Sequence, residues 1–199
     1  MNRRHLNASD RTRRAVLTTM AVAGVGGLAG CLGNGRDGPE PISLDDGQEC
    51  DNCGMRIEMH PGPVGEAFYG DDAPPSLPDD RENGVAWFCS STCTYNYMLE
   101  NEEQGYEPMI SYGTDYSSVE YELSDDGGTT VISAHLEAEA FADLRDLNFV
   151  ANSEVEGAMG RSLIGFSDAD EAEAFADEHG GDVITHEDVT REVLAGLGM

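Results

Sequence analysis

Short apolar runs and one amphipathic segment in the middle of the chain predict the order strand, strand, helix, strand. The apolar runs are rich in β-forming residues, and segments rich in Asp, Pro and Gly separate them, which is typical of strands joined by loops. In the amphipathic segment Cys93 and Tyr97 fall on one helical face, and Ser90 or Ser91 can cap the helix N-terminus. The predicted strands cover residues 63–70, 85–90 and 108–112, and the predicted helix covers 91–102.

The second half of the chain repeats this order. Phe88 and Phe166 are separated by the same 78 residues as Tyr97 and Phe175 (166 − 88 = 175 − 97), which indicates an internal duplication. A cap at Ser167 or Asp168 and a terminating Gly-Gly pair bound the second helix. The predicted strands cover 148–152, 161–166 and 182–186, and the predicted helices cover 169–179 and 187–197.

These elements predict an α+β fold with two small ββαβ domains in tandem, after a signal peptide and a flexible tether. The first domain is expected at 49–125, and the second, with a C-terminal helix, at 126–199. A strand at 130–134 and a helix at 135–146 are predicted to link the two repeats.

The N-terminus has the pattern of an export signal. Residues 1–14 carry five Arg and one Asp, and the sixteen residues that follow are apolar or small, fewer than the roughly 20 that a membrane span needs. Arg13 and Arg14 form a twin-arginine pair, and the apolar stretch ends in Leu-Ala-Gly before Cys31, which resembles a lipobox. We predict a twin-arginine signal peptide at 1–30, lipidation of Cys31, a tether at 31–48 and a location at the extracytoplasmic face of the cell membrane. The alternative is a short uncleaved anchor.

The charge of the chain argues against several classes of partner. Of 199 residues 39 are acidic and 11 are basic, all of them Arg, which gives a net charge of −28. Without residues 1–30 the charge is 6 − 38 = −32. Such a surface repels phosphates, so we expect no nucleic acid partner. Dense carboxylates without any Lys are typical of a halophilic protein.

Four cysteines of the globular body carry the candidate chemistry. Cys50 and Cys53 form a C-x-x-C with Met55 two residues later, and Cys89 and Cys93 lie one helical turn apart. Two disulfides, a redox dithiol and a metal site are all compatible with four exported cysteines. Glycine and prolines after the first pair argue against the helix of a redox motif. Zinc accepts four thiolates, whereas a thioether beside thiolates favours Cu(I).

The same residues resemble known families. The pattern from Cys53-Gly54-Met55 to a later F-C-S-x-x-C is similar to TRASH-type heavy-metal domains. Together with the lipoprotein signal and Met159-Gly160, roughly residues 50–188 resemble the NosL family of copper-binding lipoproteins, accessory proteins of nitrous oxide reductase. The chain differs in having Ala158 where the family usually has Pro, and in Cys89 and Cys93, which not every member shares.

This resemblance implies a membrane-anchored Cu(I) carrier, not an enzyme. Its partner would be apo nitrous oxide reductase or the maturation machinery of that enzyme. We found no nucleophilic active site, because no Ser has an evident His partner. Three alternatives remain: a TRASH-type zinc or mercury resistance or sensing protein, a disulfide-stabilised lipoprotein without metal, and an enzyme such as a thiol oxidoreductase or a relative of mercury–carbon lyases.

Cys53 and Met55 rank first among the candidate metal ligands, because their side chains point to the same face of an extended segment. Met98 and Met109 are expected in the core, and His135, His179 and His186 at the surface. The full set of candidate ligands is Cys50, Cys53, Met55, His60, Cys89, Cys93 and Met159.

Overall fold

The structure is a computed structural model that describes residues 38–198. The predicted signal peptide and Cys31 lie outside the described residues. Within residues 38–198, no helix combines the length and apolar character that a membrane span requires.

The first half folds as an antiparallel sheet covered by one helix. The elements are β1 (Gly65–Phe68), β2 (Val85–Phe88), α1 (Ser91–Glu102) and β3 (Ile110–Thr114). Strand β1 lies in the middle and pairs antiparallel with both β2 and β3. Helix α1 has the predicted bounds, because Ser90 caps it by accepting a hydrogen bond from the Cys93 backbone N–H at 3.0 Å. It packs closely on the sheet at Gly65, where a Cβ would lie 2.6 Å from Thr94 Oγ1.

The segment between the halves differs from the prediction. It forms β4 (Leu123–Asp126), β5 (Thr129–Ile132) and β6 (Phe141–Asp143). The helix predicted at 135–146 is wrong, because two short 3-10 helices flank β6, which pairs with the edge of β3. Pairing with that edge and burial of Phe141 outweigh the helical propensity of the Ala- and Glu-rich sequence.

The second half repeats the topology of the first. Its main strands are β7 (Asn148–Ala151), β10 (Ile164–Phe166) and β11 (Asp182–Thr185), with α2 (Ala169–His179) between β10 and β11. Strand β7 lies in the middle of the order β10-β7-β11, as β1 does in β2-β1-β3. Helix α2 begins 78 residues after α1 (169 − 91), as the duplication predicts.

The remaining elements cover the repeats. The short strands β8 (Glu156–Gly157) and β9 (Gly160–Arg161) form a third sheet with the β4–β5 hairpin. Helix α3 (Arg191–Gly196) is shorter than predicted and follows a 3-10 helix at His186–Asp188. The three helices and three sheets confirm the α+β class.

Strand β7 connects two hydrophobic clusters of this compact unit. Phe149 packs edge-on against Tyr95 of α1, with ring centroids 5.8 Å apart. Val150 points to the opposite face and belongs to the cluster that contains Phe166 and Phe175. The alternation along one strand therefore holds the second repeat against the first.

Residues 38–48 pack on the body and do not behave as the predicted tether. Leu44 is fully buried, and its backbone N–H donates to the Leu136 carbonyl at 2.8 Å. The Ile42 N–H donates to Oε1 of the buried Glu66 at 3.0 Å. Apolar residues within a Gly- and Pro-containing segment are the reason for this difference.

Candidate metal centre

The first pair of cysteines lies in a tight turn. The Gly54 N–H donates to the Cys50 carbonyl at 2.7 Å, and the Cys50 N–H donates to the Met55 carbonyl at 2.8 Å. Gly54 has φ of +75°, a left-handed conformation that glycine adopts without steric cost. These bonds close a loop that begins at Cys50 and ends at Met55, and the helix that a redox C-x-x-C normally opens is absent from this described segment.

The second pair lies where a strand passes into a helix. Cys89 follows the last residue of β2, and Cys93 occupies the first turn of α1. Both side chains are fully buried. Because the Ser90 cap fixes the start of α1, the two thiols are held one turn apart on the same face.

The fold brings the two pairs together. The four Sγ atoms of Cys50, Cys53, Cys89 and Cys93 all lie within 4.8 Å of one another. Cys53 Sγ is 3.5 Å from Cys89 Sγ, which is 3.8 Å from Cys93 Sγ. All four are free thiols, so the predicted alternative of two disulfides is not the form that the structure shows. Three are buried and Cys53 is exposed, so the cluster opens to solvent on the Cys53 side.

Contacts among the three buried thiols shift their pKa values in opposite directions. Hydrogen bonds from Cys89 and Cys93 to the Cys50 sulfur lower the pKa of Cys50. The same bonds to Cys50, together with burial, raise the pKa values of Cys89 and Cys93. Deprotonation of one buried thiol is therefore stabilised by its neighbours, and thiolate is the form that binds soft metals.

An ion pair beside the cysteines joins the two segments that carry them. Arg81 donates to Asp51 Oδ1 and Oδ2 at 2.9 and 3.1 Å, and its guanidinium carbon lies 3.4 Å from the centroid of the Trp87 ring. Asp51 Oδ2 also accepts from the Trp87 N–H at 2.8 Å. Burial raises the pKa of Asp51, and Arg81 opposes that shift.

This network of contacts positions the two cysteine pairs relative to each other. Asp51 belongs to the C-x-x-C turn, and Trp87 lies two residues before Cys89, so their contact sets the separation of the two cysteine pairs. Neither Arg81 nor Asp51 was predicted from the sequence as part of the site. An Arg in an Asp- and Pro-rich loop was the only available signal, and spacing does not connect it to Asp51.

The other three predicted ligands, Met55, Met159 and His60, lie outside the four-cysteine group. Met55 is half-buried against the core, and its backbone bond to Cys50 keeps it beside the cluster. Met159 is half-buried in the turn between β8 and β9. Leu163 N–H donates to Ser91 Oγ at 2.9 Å, which holds the segment after this turn against the start of α1. His60 is half-buried and is not part of the four-cysteine group.

The expectation for one of the other methionines was wrong. Met98 is buried, as predicted, but Met109 is 49% exposed at the surface over Gly70. His135, His179 and His186, which were expected at the surface, are partly exposed. The His186 Nδ1 lies 2.9 Å from the Tyr95 hydroxyl, and this contact with α1 is the reason for its burial.

Fold and site together define a class: small α+β proteins in which four thiols from two chain segments converge on a volume suited to one soft metal ion. The family model of NosL matches residues 41–194, and the chain belongs to the NosL family. The resemblance found in the sequence is thereby confirmed.

Two relatives extend this result. The copper-binding lipoprotein NosL of Stutzerimonas stutzeri is 30% identical over 179 residues, which cover 89% of this chain and 81% of that protein. The crystal structure of the copper chaperone NosL from Shewanella denitrificans matches with a TM-score of 0.61 and 26% identity, over 78% of this chain and 99% of that one. Both names describe non-enzymatic roles, in agreement with the prediction that the protein is not an enzyme.

Proposed function

We propose that the protein is an exported lipoprotein that binds Cu(I) and delivers it for assembly of the copper centres of nitrous oxide reductase. The observation that carries this proposal is the convergence of four free thiols within 4.8 Å of one another, two of them in a turn that the Met55 carbonyl closes. Membership of the NosL family supports copper as the cargo, because both relatives are named for copper.

Cu(I) is bound by a subset of the available donors. Thiolates and thioethers are the ligands that select this ion. The sulfur of Cys89 lies closer to that of Cys53, at 3.5 Å, than to that of Cys93, at 3.8 Å, and Met55 closes the turn that carries Cys53. We assign Cu(I) to the sulfurs of Cys53, Cys89 and Met55, with Met159 at the neighbouring turn as a further soft donor.

Low coordination makes the ion transferable. Cys89 is fully buried and anchored beside α1, whereas Cys53 is exposed. A ligand of the partner approaches from the Cys53 side and binds the ion before Cys53 releases it. The ion then passes by ligand exchange without being free in solution.

The location follows from the N-terminal sequence. Arg13 and Arg14 direct export, and Cys31 carries the lipid that anchors the protein at the extracytoplasmic face of the membrane. The Stutzerimonas relative is itself named a lipoprotein. The partner is apo nitrous oxide reductase or its maturation machinery, at the same side of the membrane.

Incubation of the Cu(I)-loaded protein with apo nitrous oxide reductase tests the delivery role. We expect copper to move to the reductase in the presence of a chelator that captures free Cu(I). A Cys53→Ser variant, which should hold the ion more weakly, is expected to lose most of its copper to the chelator instead. Retention of all the copper by the parent protein would contradict delivery and favour the TRASH-type resistance or sensing alternative.

A further inference from the structure

We propose that residues 38–43 form a strap that closes over the first sheet while Glu66 is protonated and opens when Glu66 ionises. The strap precedes the Cys50–Met55 turn and includes none of the candidate metal ligands. It is a conformational switch in the segment that leads into the body, separate from copper binding and delivery.

Glu66 lies beneath this strap, on the face of the sheet opposite α1. Gly65 faces α1, so Glu66, the next residue of β1, points to the other face. Trp87 of β2 and Tyr112 of β3 are its partners in the strand register, and their side chains flank it on that face. Glu66 is fully buried, and its Oε1 accepts a hydrogen bond from the Ile42 N–H at 3.0 Å. The strap is therefore part of the cover that excludes water from this carboxyl group.

One oxygen of the buried carboxyl group lacks a hydrogen-bond partner. Among residues 38–198, neither Glu66 Oε2 nor the neighbouring Trp87 Nε1 is hydrogen-bonded, and both atoms are buried. A neutral carboxyl group tolerates this position better than a carboxylate, which requires donors or water around both oxygens. Burial accordingly raises the pKa of Glu66 to about 8. Any motion that brings water to Oε2 therefore favours the ionised form.

The strap is the part of this cover that moves at the lowest cost. Strands β1, β2 and β3 are fixed by antiparallel pairing, whereas the strap belongs to no strand. The Pro39 carbonyl accepts from the Tyr112 hydroxyl at 2.9 Å, and Ser43 Oγ accepts from the Ala138 N–H at 3.1 Å. Leu44, the next residue, is fully buried, so the motion ends there. A segment held by isolated hydrogen bonds opens locally without unfolding the sheet.

Charge favours opening once Glu66 is ionised. The strap contains one acidic residue, Glu40, and no basic one. The charged and titratable groups that face Glu66 or its cross-strand neighbours are Glu40 of the strap, Tyr112 of β3, Asp143 of β6, Arg145 after β6 and Arg81 on the Trp87 ring. Both cations are already paired with aspartates. A negative charge on Glu66 is therefore repelled by Glu40 of the closed strap, and opening relieves this repulsion.

Opening lengthens the connection between the body and a lipid on Cys31. Gly38 is seven residues beyond Cys31 (38 − 31), and Leu44 is thirteen (44 − 31). At about 3.5 Å for each extended residue, the longest possible connection grows from about 25 Å to about 45 Å. This consequence rests on the lipidation of Cys31 proposed above, whereas the switch itself does not.

Hydrogen exchange of the parent and of Glu66→Gln tests the switch, since the amide of Gln does not ionise. The closed strap is favoured below pH 4.5 and is progressively lost as the pH rises to about 8. Exchange at the strap amides should therefore rise at least about tenfold more in the parent than in the variant between about pH 5 and about pH 8. The intrinsic acceleration of exchange with pH is common to both proteins. Equal rises would overturn the proposal, as would a rise at all amides of the parent, which would report global unfolding.

Tyr112→Phe provides a second variant that retains Glu66. Loss of the hydroxyl that holds the Pro39 carbonyl should increase exchange at the strap amides roughly fivefold at each pH and preserve the rise with pH. Unchanged exchange in this variant would contradict closure of the strap over β3.

The fluorescence of Trp87, the only Trp in the chain, gives a measurement that needs no variant. Its emission should shift reversibly to longer wavelength between about pH 5 and about pH 8, as water enters beside the ring. An unshifted spectrum would overturn the proposal even where Glu66→Gln fails to fold. These measurements require neither copper nor the lipid, so failure here leaves the delivery function and the lipidation of Cys31 standing.

Discussion

Cys53 Sγ lies 3.5 Å from Cys89 Sγ, although 36 residues separate them in the chain. The contact exists because the Cys50–Met55 turn is joined to the end of β2, where the Asp51 N–H donates to the Trp87 carbonyl at 2.8 Å and Asp51 Oδ2 accepts from the Trp87 N–H. The candidate metal site is thus a product of tertiary structure, and residues that bind no metal determine where its ligands lie.

Replacement of Met55 by Leu should weaken Cu(I) binding and leave Zn(II) binding unchanged. A thioether is a good ligand for Cu(I) and a poor one for Zn(II). Leu keeps the size and apolar character of Met, so the cost in folding free energy should stay below about 1.5 kcal/mol. Competition titrations with both ions and the melting temperature of the metal-free protein measure these effects. Unchanged Cu(I) affinity would show that the site uses thiolates alone.

Removal of the Arg81 side chain should destabilise the fold. Arg81 and Asp51 are 16% and 13% exposed, so Arg81→Leu leaves a largely buried carboxylate without its cation. The expected loss is about 3 kcal/mol in the free energy of unfolding, measured with denaturant. The double variant Arg81→Leu/Asp51→Asn should lose less than Arg81→Leu alone. Equal losses would show that the ion pair is not the cause.

Glu66 should make the protein less stable as the pH rises. Burial raises the pKa of Glu66 to about 8 from an ordinary value of 4.5. Between these values the folded chain holds a proton that the unfolded chain has lost, so the contribution of Glu66 to stability is full below pH 4.5 and is lost as the pH rises to about 8.

The variant Glu66→Gln isolates this effect, because its amide oxygen still accepts from the Ile42 N–H. Relative to the parent, it should gain up to about 1.4 kcal/mol for each pH unit across that interval, and nothing further above it. Urea unfolding at constant salt concentration over the pH range gives the difference. A constant difference at every pH would contradict the assignment.

Cys31 should be the mature N-terminus. Intact mass of the membrane-extracted protein should show the loss of residues 1–30 and the addition of a diacylglyceryl group. A Cys31→Ser variant should keep its signal peptide or lose the lipid, which the same measurement detects. A soluble full-length product from the parent sequence would contradict lipid anchoring.

The helices α1 and α2 could be predicted to the residue, because capping side chains and apolar faces are local signals. The segment 135–146 could not, since its Ala- and Glu-rich sequence favours a helix and only the free edge of β3 makes Phe141–Asp143 a strand. The local sequence of β6 carries no information about the unpaired edge of β3, which lies about thirty residues earlier in the chain.

The candidate metal site, too, could be predicted from the sequence only in part. The spacing of the cysteines and Met55 indicated soft-metal chemistry, but the closeness of the two pairs depends on strand pairing. The contact of Arg81 with Asp51 and Trp87 spans loop and strand, so spacing gave no sign of it. The buried Glu66 accepts a hydrogen bond from the Ile42 N–H, and the glycines and prolines of residues 38–48 gave no indication that this segment packs on the body.

Cu(I) competition titration of the parent and of Cys53→Ser tests the central claim most directly. Cys53 is exposed, so its replacement should leave the melting temperature of the metal-free protein nearly unchanged. We predict one Cu(I) per chain in the parent and an affinity at least about 100-fold lower in Cys53→Ser. Equal affinities in the two proteins would contradict Cu(I) binding at the four-cysteine cluster.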